Sequence, residues 1–194
     1  MNMIRIAIFA SGSGSNAEKI TQYFQEKENI KVSLILSNKK DAYVLERAKK
    51  LSVPARAFTR AELQSDAILE ILRDHNIDFI VLAGFLLLVP SHLVEAFPER
   101  IVNIHPALLP KYGGHGMYGD NVHQAVVAAS EKETGITIHY VNEKYDEGAI
   151  IFQATCPVNE GDMPEDVASK VHQLEYQHYP QVIESVIINS FKKS

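Results

Sequence analysis

The sequence predicts an α/β fold: a Rossmann-like, mostly parallel twisted sheet flanked by helices. Three observations carry that expectation. Short, nearly continuous apolar runs such as IRIAIF and FIVLAGF suit strands covered on both faces, as in a parallel sheet. Between them lie stretches with apolar residues at helical spacing, so strand and helix alternate through the first half of the chain. The first apolar run also leads straight into SGSGSN, a small-residue turn of the kind that joins a strand to a helix.

Taken in order, residues 4–9 form the first strand. After the turn, Ala17, Ile20, Tyr23 and Phe24 recur on one helical face. Residues 31–36 read as the second strand and residues 41–51 as a helix opened by Asp41. Residues 60–75 read as one helix, with Leu63, Ala67, Ile68, Ile71 and Leu72 along one side. Residues 79–85 and 101–105 are two further buried strands. The second half changes character: KYGGHGMYGDN, residues 111–121, predicts an ordered loop, and residues 135–141 and 149–158 read as two strands joined by NEKYDEG. A final helix begins at Pro164, with Asp162 as its cap and the proline tolerated in the first turn. Pro180 is expected to kink or divide it. No repeat, low-complexity tract or linker interrupts the chain. The expectation is one domain over residues 1–194, with halves at about 1–100 and 101–194.

Composition narrows the function classes. With 24 acidic against 19 basic residues, a net charge of −5 and no basic block, a nucleic-acid surface is not expected. An anionic ligand must therefore be held by local groups rather than drawn in by the overall field. Cys156 is the only cysteine, which excludes an internal disulfide or a cysteine-based metal cluster; it reads as a small buried apolar residue. The apolar start is too short for a membrane span and lacks a signal-peptide cleavage pattern, so the chain is expected to be cytoplasmic.

Two constellations carry chemistry. In SGSGSN, Gly12 and Gly14 let the backbone come close to a ligand, and the first amides of a helix present unpaired donors to an anion. Ser11, Ser13, Ser15 and Asn16 add side-chain donors. The turn either cradles a phosphate or is a tight turn whose serines cap the helix. A dinucleotide site fits less well: there is no third glycine, and the second strand ends in Ser37-Asn38 where an acid would grip a ribose. The second constellation is NIHPALLP. Asn103 and His105 stand two residues apart in a strand and so share a face, and Pro106 then turns the chain away. A neutral amide can donate to a developing oxyanion, and an imidazole trades a proton near neutral pH. Asp146, in YDEG, is the acid that would orient such a histidine, although a solvated acidic turn is the default for that run. The other histidines lack metal-ligand spacing, and no metal is expected.

SGSGSN, VLAGF, NIHPALLPKY, TGITIHYV and YDEGAIIFQ, in this order, closely resemble the folate-dependent formyltransferase family. Within it they resemble the stand-alone branch of purine biosynthesis that acts on phosphoribosylglycinamide. The resemblance runs from about residue 4 to about residue 180 and implies the formyltransferase fold. It implies 10-formyltetrahydrofolate as co-substrate and small molecules as the only partners, with monomer or homodimer left open. It implies Asn103, His105 and Asp146 as the catalytic set, with Asp146 orienting His105 and keeping it charged. Gly14, Ser15, Asn16, His172 and Glu175 would hold the ribonucleotide. Arg60 and the run Leu86, Leu87, Leu88 and Val89 would meet the folate, with Asn103 and the loop Asn142, Glu143, Lys144, Tyr145 and Asp146 closing the other side. Leu87 stands where relatives often carry a basic residue, and Glu147 replaces a frequent glycine. The loop 113–121 looks several residues longer than usual; His115, Met117 and Tyr118 are expected to decorate the surface rather than shape the entrance. A formyltetrahydrofolate hydrolase, another folate-dependent formyltransferase and a nucleotide-sensing binding module are the rival readings.

Overall fold

A computed structural model describes residues 3–192. Among these residues one sheet has seven strands in the order β3-β2-β1-β4-β5-β6-β7. Strands β1 (Ile4–Phe9), β2 (Ile30–Ser37), β3 (Ala55–Ala57), β4 (Phe79–Leu82) and β5 (Ile101–His105) run parallel. Strands β6 (Glu133–Tyr140) and β7 (Ile150–Pro157) are added antiparallel. The order reverses at β1, whose neighbours are β2 and β4. That reversal opens a crevice beyond the carboxyl ends of the strands, the usual place for a ligand in an open α/β sheet.

Period-two alternation in β1 explains why the sheet is covered on both faces. Ile4, Ile6 and Ile8 join one core with Ile20 and Phe24 of α1 (Ser15–Gln25) and Val171 and Ile183 of α7 (Pro164–Phe191). Ala7 and Phe9 join the other, with Leu63 of α3 (Arg60–Leu63) and Ile68 and Leu72 of α4 (Ala67–Asp74). Each such Ile, Leu, Val or Phe side chain, fully buried, contributes roughly 1.5–3 kcal/mol. The remaining helices are α2 (Tyr43–Lys50), α5 (Ser91–Ala96) and α6 (Asp120–Ala128).

Several boundaries differ from expectation, each for a local reason. Asp41 does not open α2: the helix begins at Tyr43, and the Val44 amide is taken by the Gly12 carbonyl instead. Residues 60–75 form two helices, because the Ser65 hydroxyl donates to the Glu62 carbonyl and faces the Ala67 amide in competition with the helix ladder. Strand β4 stops at Leu82, where Gly84, with φ +71°, turns the chain. Met163, not Asp162, precedes α7: Asp162 receives the Asn159 amide and Lys170, while Asp166 receives the Met163 amide. Pro180 does not divide α7, which continues for 28 residues with the proline buried. Cys156 is half-buried on the outer strand β7 rather than enclosed, and burial raises its thiol pKa. The short β3 and the helices α5 and α6 lie outside the expected elements.

Candidate active site

A cavity of about 420 Å³ lies beyond the carboxyl ends of β1, β4 and β5. Its volume suits a small-molecule ligand. Its wall comprises the turn Ser11–Asn16, the segment Leu82–Val89, Asn103–Pro106, parts of the loops 114–119 and 141–146, and His123, His139, His172 and Glu175. Lys39 and Lys144 also line it.

The turn after β1 is built by packing. Gly14 has φ +76°, and a β-carbon there would lie 2.8 Å from the Val44 Cα and clash with its side chain. Only glycine fits. Helix α1 starts at once, with no side chain capping its N-terminus, so its first amides remain available at the cavity. Arg47 reinforces the turn from outside, donating to the Ser13 carbonyl and pairing with Glu18. Ser11 is not a free donor: it is buried, gives its hydroxyl proton to Asn38 Oδ1 at 2.6 Å and accepts the Leu86 amide at 3.0 Å. Asn16 donates from Nδ2 to Glu175 Oε2 at 2.9 Å, and its buried Oδ1 has no partner. Burial raises the Glu175 pKa, opposed by the Asn16 bond and by His172.

Asn103, His105 and Asp146 meet. Asp146 Oδ2 lies 3.5 Å from His105 Nδ1, and Asp146 Oδ1 accepts from Asn103 Nδ2 at 3.4 Å. Antiparallel pairing sets Asn103 directly opposite His139. His139 Nδ1 faces the Tyr140 carbonyl at 2.8 Å, and a carbonyl can only accept. Its Nε2 is therefore the acceptor for the second Asn103 proton, at 3.1 Å. The same logic fixes His105: Nε2 donates to the Tyr112 carbonyl at 2.7 Å, which leaves the Nδ1 lone pair facing the carboxylate. The Gly114 amide donates to Asp146 Oδ2 at 3.0 Å.

The electrostatics correct one expectation. Burial lowers the His105 pKa, and this outweighs the upward pull of Asp146 and of the Tyr112 carbonyl; His139 adds to the lowering. Asp146 lies against the ring, but its upward pull does not overcome the lowering by burial. Asp146 itself is disfavoured by burial, yet His139, His105 and the Gly114 amide together hold its pKa below the usual carboxylate value. His139 Nε2 lies 3.6 Å from Asp146 Oδ1, beyond hydrogen-bond length.

Leu86, Leu87, Leu88 and Val89 line the cavity, as do Asn142, Lys144, Tyr145, Gly14, Ser15, Asn16, His172 and Glu175. Arg60 and Glu143 are not on its wall and are exposed; Arg60 starts α3 inside the Thr59–Glu62 capping box. The loop 113–119 departs from the surface reading. His115, Met117 and Tyr118 line the cavity, His115 and Tyr118 while still exposed, and the His115 ring meets Tyr145 edge-on at 5.7 Å. His123, His139 and Lys39 escaped the sequence reading as site residues. For His139 the signal was present: in TGITIHYV it alternates with Thr137 on one strand face. The backbone groups of Tyr112 and Gly114 have no such signal.

The site thus combines a mostly parallel sheet with a crevice at its order reversal, a helix-start turn and an amide–imidazole–carboxylate set. Residues 4–183 match the formyl transferase family, and the chain belongs to it. Phosphoribosylglycinamide formyltransferase of Bacillus subtilis is 38% identical over 191 residues, 95% of each chain. The chloroplastic phosphoribosylglycinamide formyltransferase of Arabidopsis thaliana is 41% identical over 189 residues, 94% of this chain. The chain spans 65% of that plant relative's length. Glycinamide ribonucleotide transformylase 1 from Symbiobacterium toebii has a solved structure similar to this one, with a TM-score of 0.85 at 37% identity, covering 93% of this chain and 86% of that one. Among the described residues, no helix is long and apolar enough to cross a membrane.

Proposed function

We propose that this chain transfers the formyl group of 10-formyltetrahydrofolate to the glycinamide amine of N1-(5-phospho-D-ribosyl)glycinamide, giving the N2-formyl product and tetrahydrofolate in purine biosynthesis. The observation that carries the proposal is a single cavity holding both the Gly14 turn and the Asn103–His105–Asp146 set. In sheet order the two are separated by β4, hence by two strand spacings, about 10 Å. That separation suits a ligand with a phosphate at one end and a reacting amine at the other.

In this reading the α1 amides hold the phosphate and Glu175 the ribose, with Leu86–Val89 and the loop 142–146 enclosing the folate. Asn103 turns one N–H from Asp146 to the formyl oxygen as the amine attacks the formyl carbon; the 3.4 Å bond it gives up is long and weak. His139 retains the other N–H and keeps the amide aimed. Neutral His105 takes the amine proton on Nδ1, and Asp146 stabilises the imidazolium so formed. The carbon–N10 bond breaks, the new carbon–nitrogen bond to the glycinamide remains, and His105 returns the proton to N10.

The test is a turnover assay with formyl-folate and the ribonucleotide, followed by absorbance. Formyl transfer that requires the ribonucleotide supports the proposal. Formate release without it would show a hydrolase, and no reaction of either kind would reject the enzyme reading.

A further inference from the structure

The segment 112–114 touches both members of the proposed reacting pair. The Tyr112 carbonyl accepts from His105 Nε2 at 2.7 Å, and two residues on the Gly114 amide donates to Asp146 at 3.0 Å. The segment is awkward to hold. Tyr112 sits at φ +56°, an unfavourable region for a bulky residue. Contacts from outside the cavity also hold it.

Glu131, just beyond α6, supplies them. Its Oε1 accepts from the Tyr112 hydroxyl at 2.9 Å and from Lys111 Nζ at 3.0 Å. Its own backbone amide is tied to the Val126 carbonyl at 3.3 Å. Glu131 is not on the cavity wall and cannot touch a substrate there.

We propose that Glu131 is a positioning residue for the reaction: by anchoring Tyr112 and Lys111 from outside, it holds the carbonyl and amide that fix His105 and Asp146. The inference rests on the reading of that pair as the reacting groups. Without the anchor, the Tyr112 carbonyl drifts from Nε2, the ring loses the acceptor that selects its tautomer, and Asp146 loses a donor. The titratable groups facing the His105 ring are Asp146 from the β6–β7 connection, His139 from β6 and His123 from α6; none is altered by changing Glu131.

The experiment compares Glu131→Ala, Glu131→Gln and Tyr112→Phe with the unaltered chain by two readouts. One is kcat and KM for each substrate; the other is the titration midpoint of the His105 ring by NMR, assigned against His105→Ala. In Glu131→Ala, kcat falls about ten-fold with KM nearly unchanged, as expected for misplaced reacting groups. Its His105 midpoint moves to lower pH, because a hydrogen bond favouring the charged ring is lost. Glu131→Gln keeps an acceptor and recovers most of the rate, and Tyr112→Phe loses about three-fold. If kcat and the His105 midpoint stay as in the unaltered chain in both Glu131→Ala and Tyr112→Phe, the proposal is wrong. Should the unaltered chain show no turnover, the proposed function fails while the NMR midpoint still decides the anchor.

Discussion

The turn after β1 and the set around His105 share one cavity, yet they hold their groups by different means. The turn is contiguous: residues 11–16 follow one another, and Gly14, Val44 and the start of α1 fix the backbone that would meet an anion. The His105 set is assembled across long stretches of chain, from β5, the loop 112–114, β6 and the β6–β7 connection. Backbone amides at a helix start need no titration. Side chains that trade protons depend on burial, on each partner's charge and on distances of a few tenths of an ångström. The first region is therefore a rigid element of backbone, and the second a tuned set of side chains.

The largest expected effect strikes the tuned region. His105→Ala and Asp146→Asn should each lower kcat by at least a hundred- to a thousand-fold, roughly 2.7–4 kcal/mol, while circular dichroism remains that of the unaltered fold. Near-normal rates in both would remove the set from the mechanism.

Gly14→Ala strikes the rigid region. Its φ of +76° and the contact with Val44 predict a stability loss of about 1–3 kcal/mol in urea unfolding, along with weakened ribonucleotide binding. Asn16→Ala, by contrast, should weaken ribonucleotide binding with kcat little changed; an unchanged affinity would move the ligand's anionic end elsewhere. It also leaves buried Glu175 without its Asn16 partner.

Thr137→Val tests whether the tuned region is also held by buried polar contacts. The Thr137 hydroxyl donates to the Ala107 carbonyl at 2.7 Å and accepts the Leu109 amide at 3.0 Å, fully buried. Removing it leaves two backbone groups unpaired and should cost roughly 1–3 kcal/mol. Thermal unfolding would measure the loss, and a wild-type melting temperature would show that the loop is secured otherwise.

The smallest effect is the pH dependence of stability. His105 has a folded pKa below its ordinary 6.5, so the unfolded chain takes up the proton first as pH falls. The stability associated with His105 is full above 6.5 and is lost as pH drops through the folded value. Asp146 adds a second loss of the same sign in the acid range, below its ordinary 3.8. Denaturant melts from pH 7.5 downward should show a decline that is shallower in His105→Asn; identical slopes would mean that burial does not disfavour the charged ring.

The sequence by itself determined the parallel sheet, the Gly14 turn and the shared face of Asn103 and His105. Each follows from residues within a few positions of one another: apolar runs, a glycine that alone tolerates its φ, and the two-residue period of a strand. Tertiary structure alone decided that Asp146 reaches His105, that His139 stands opposite Asn103, that residues 114–119 line the cavity and that Arg60 faces solvent. It also set the direction of the His105 pKa, below rather than above its ordinary value, because desolvation depends on everything packed around the ring and no neighbour in sequence reports it. Backbone partners such as the Tyr112 carbonyl are invisible in a sequence, since every residue carries the same group and only the fold says where it points.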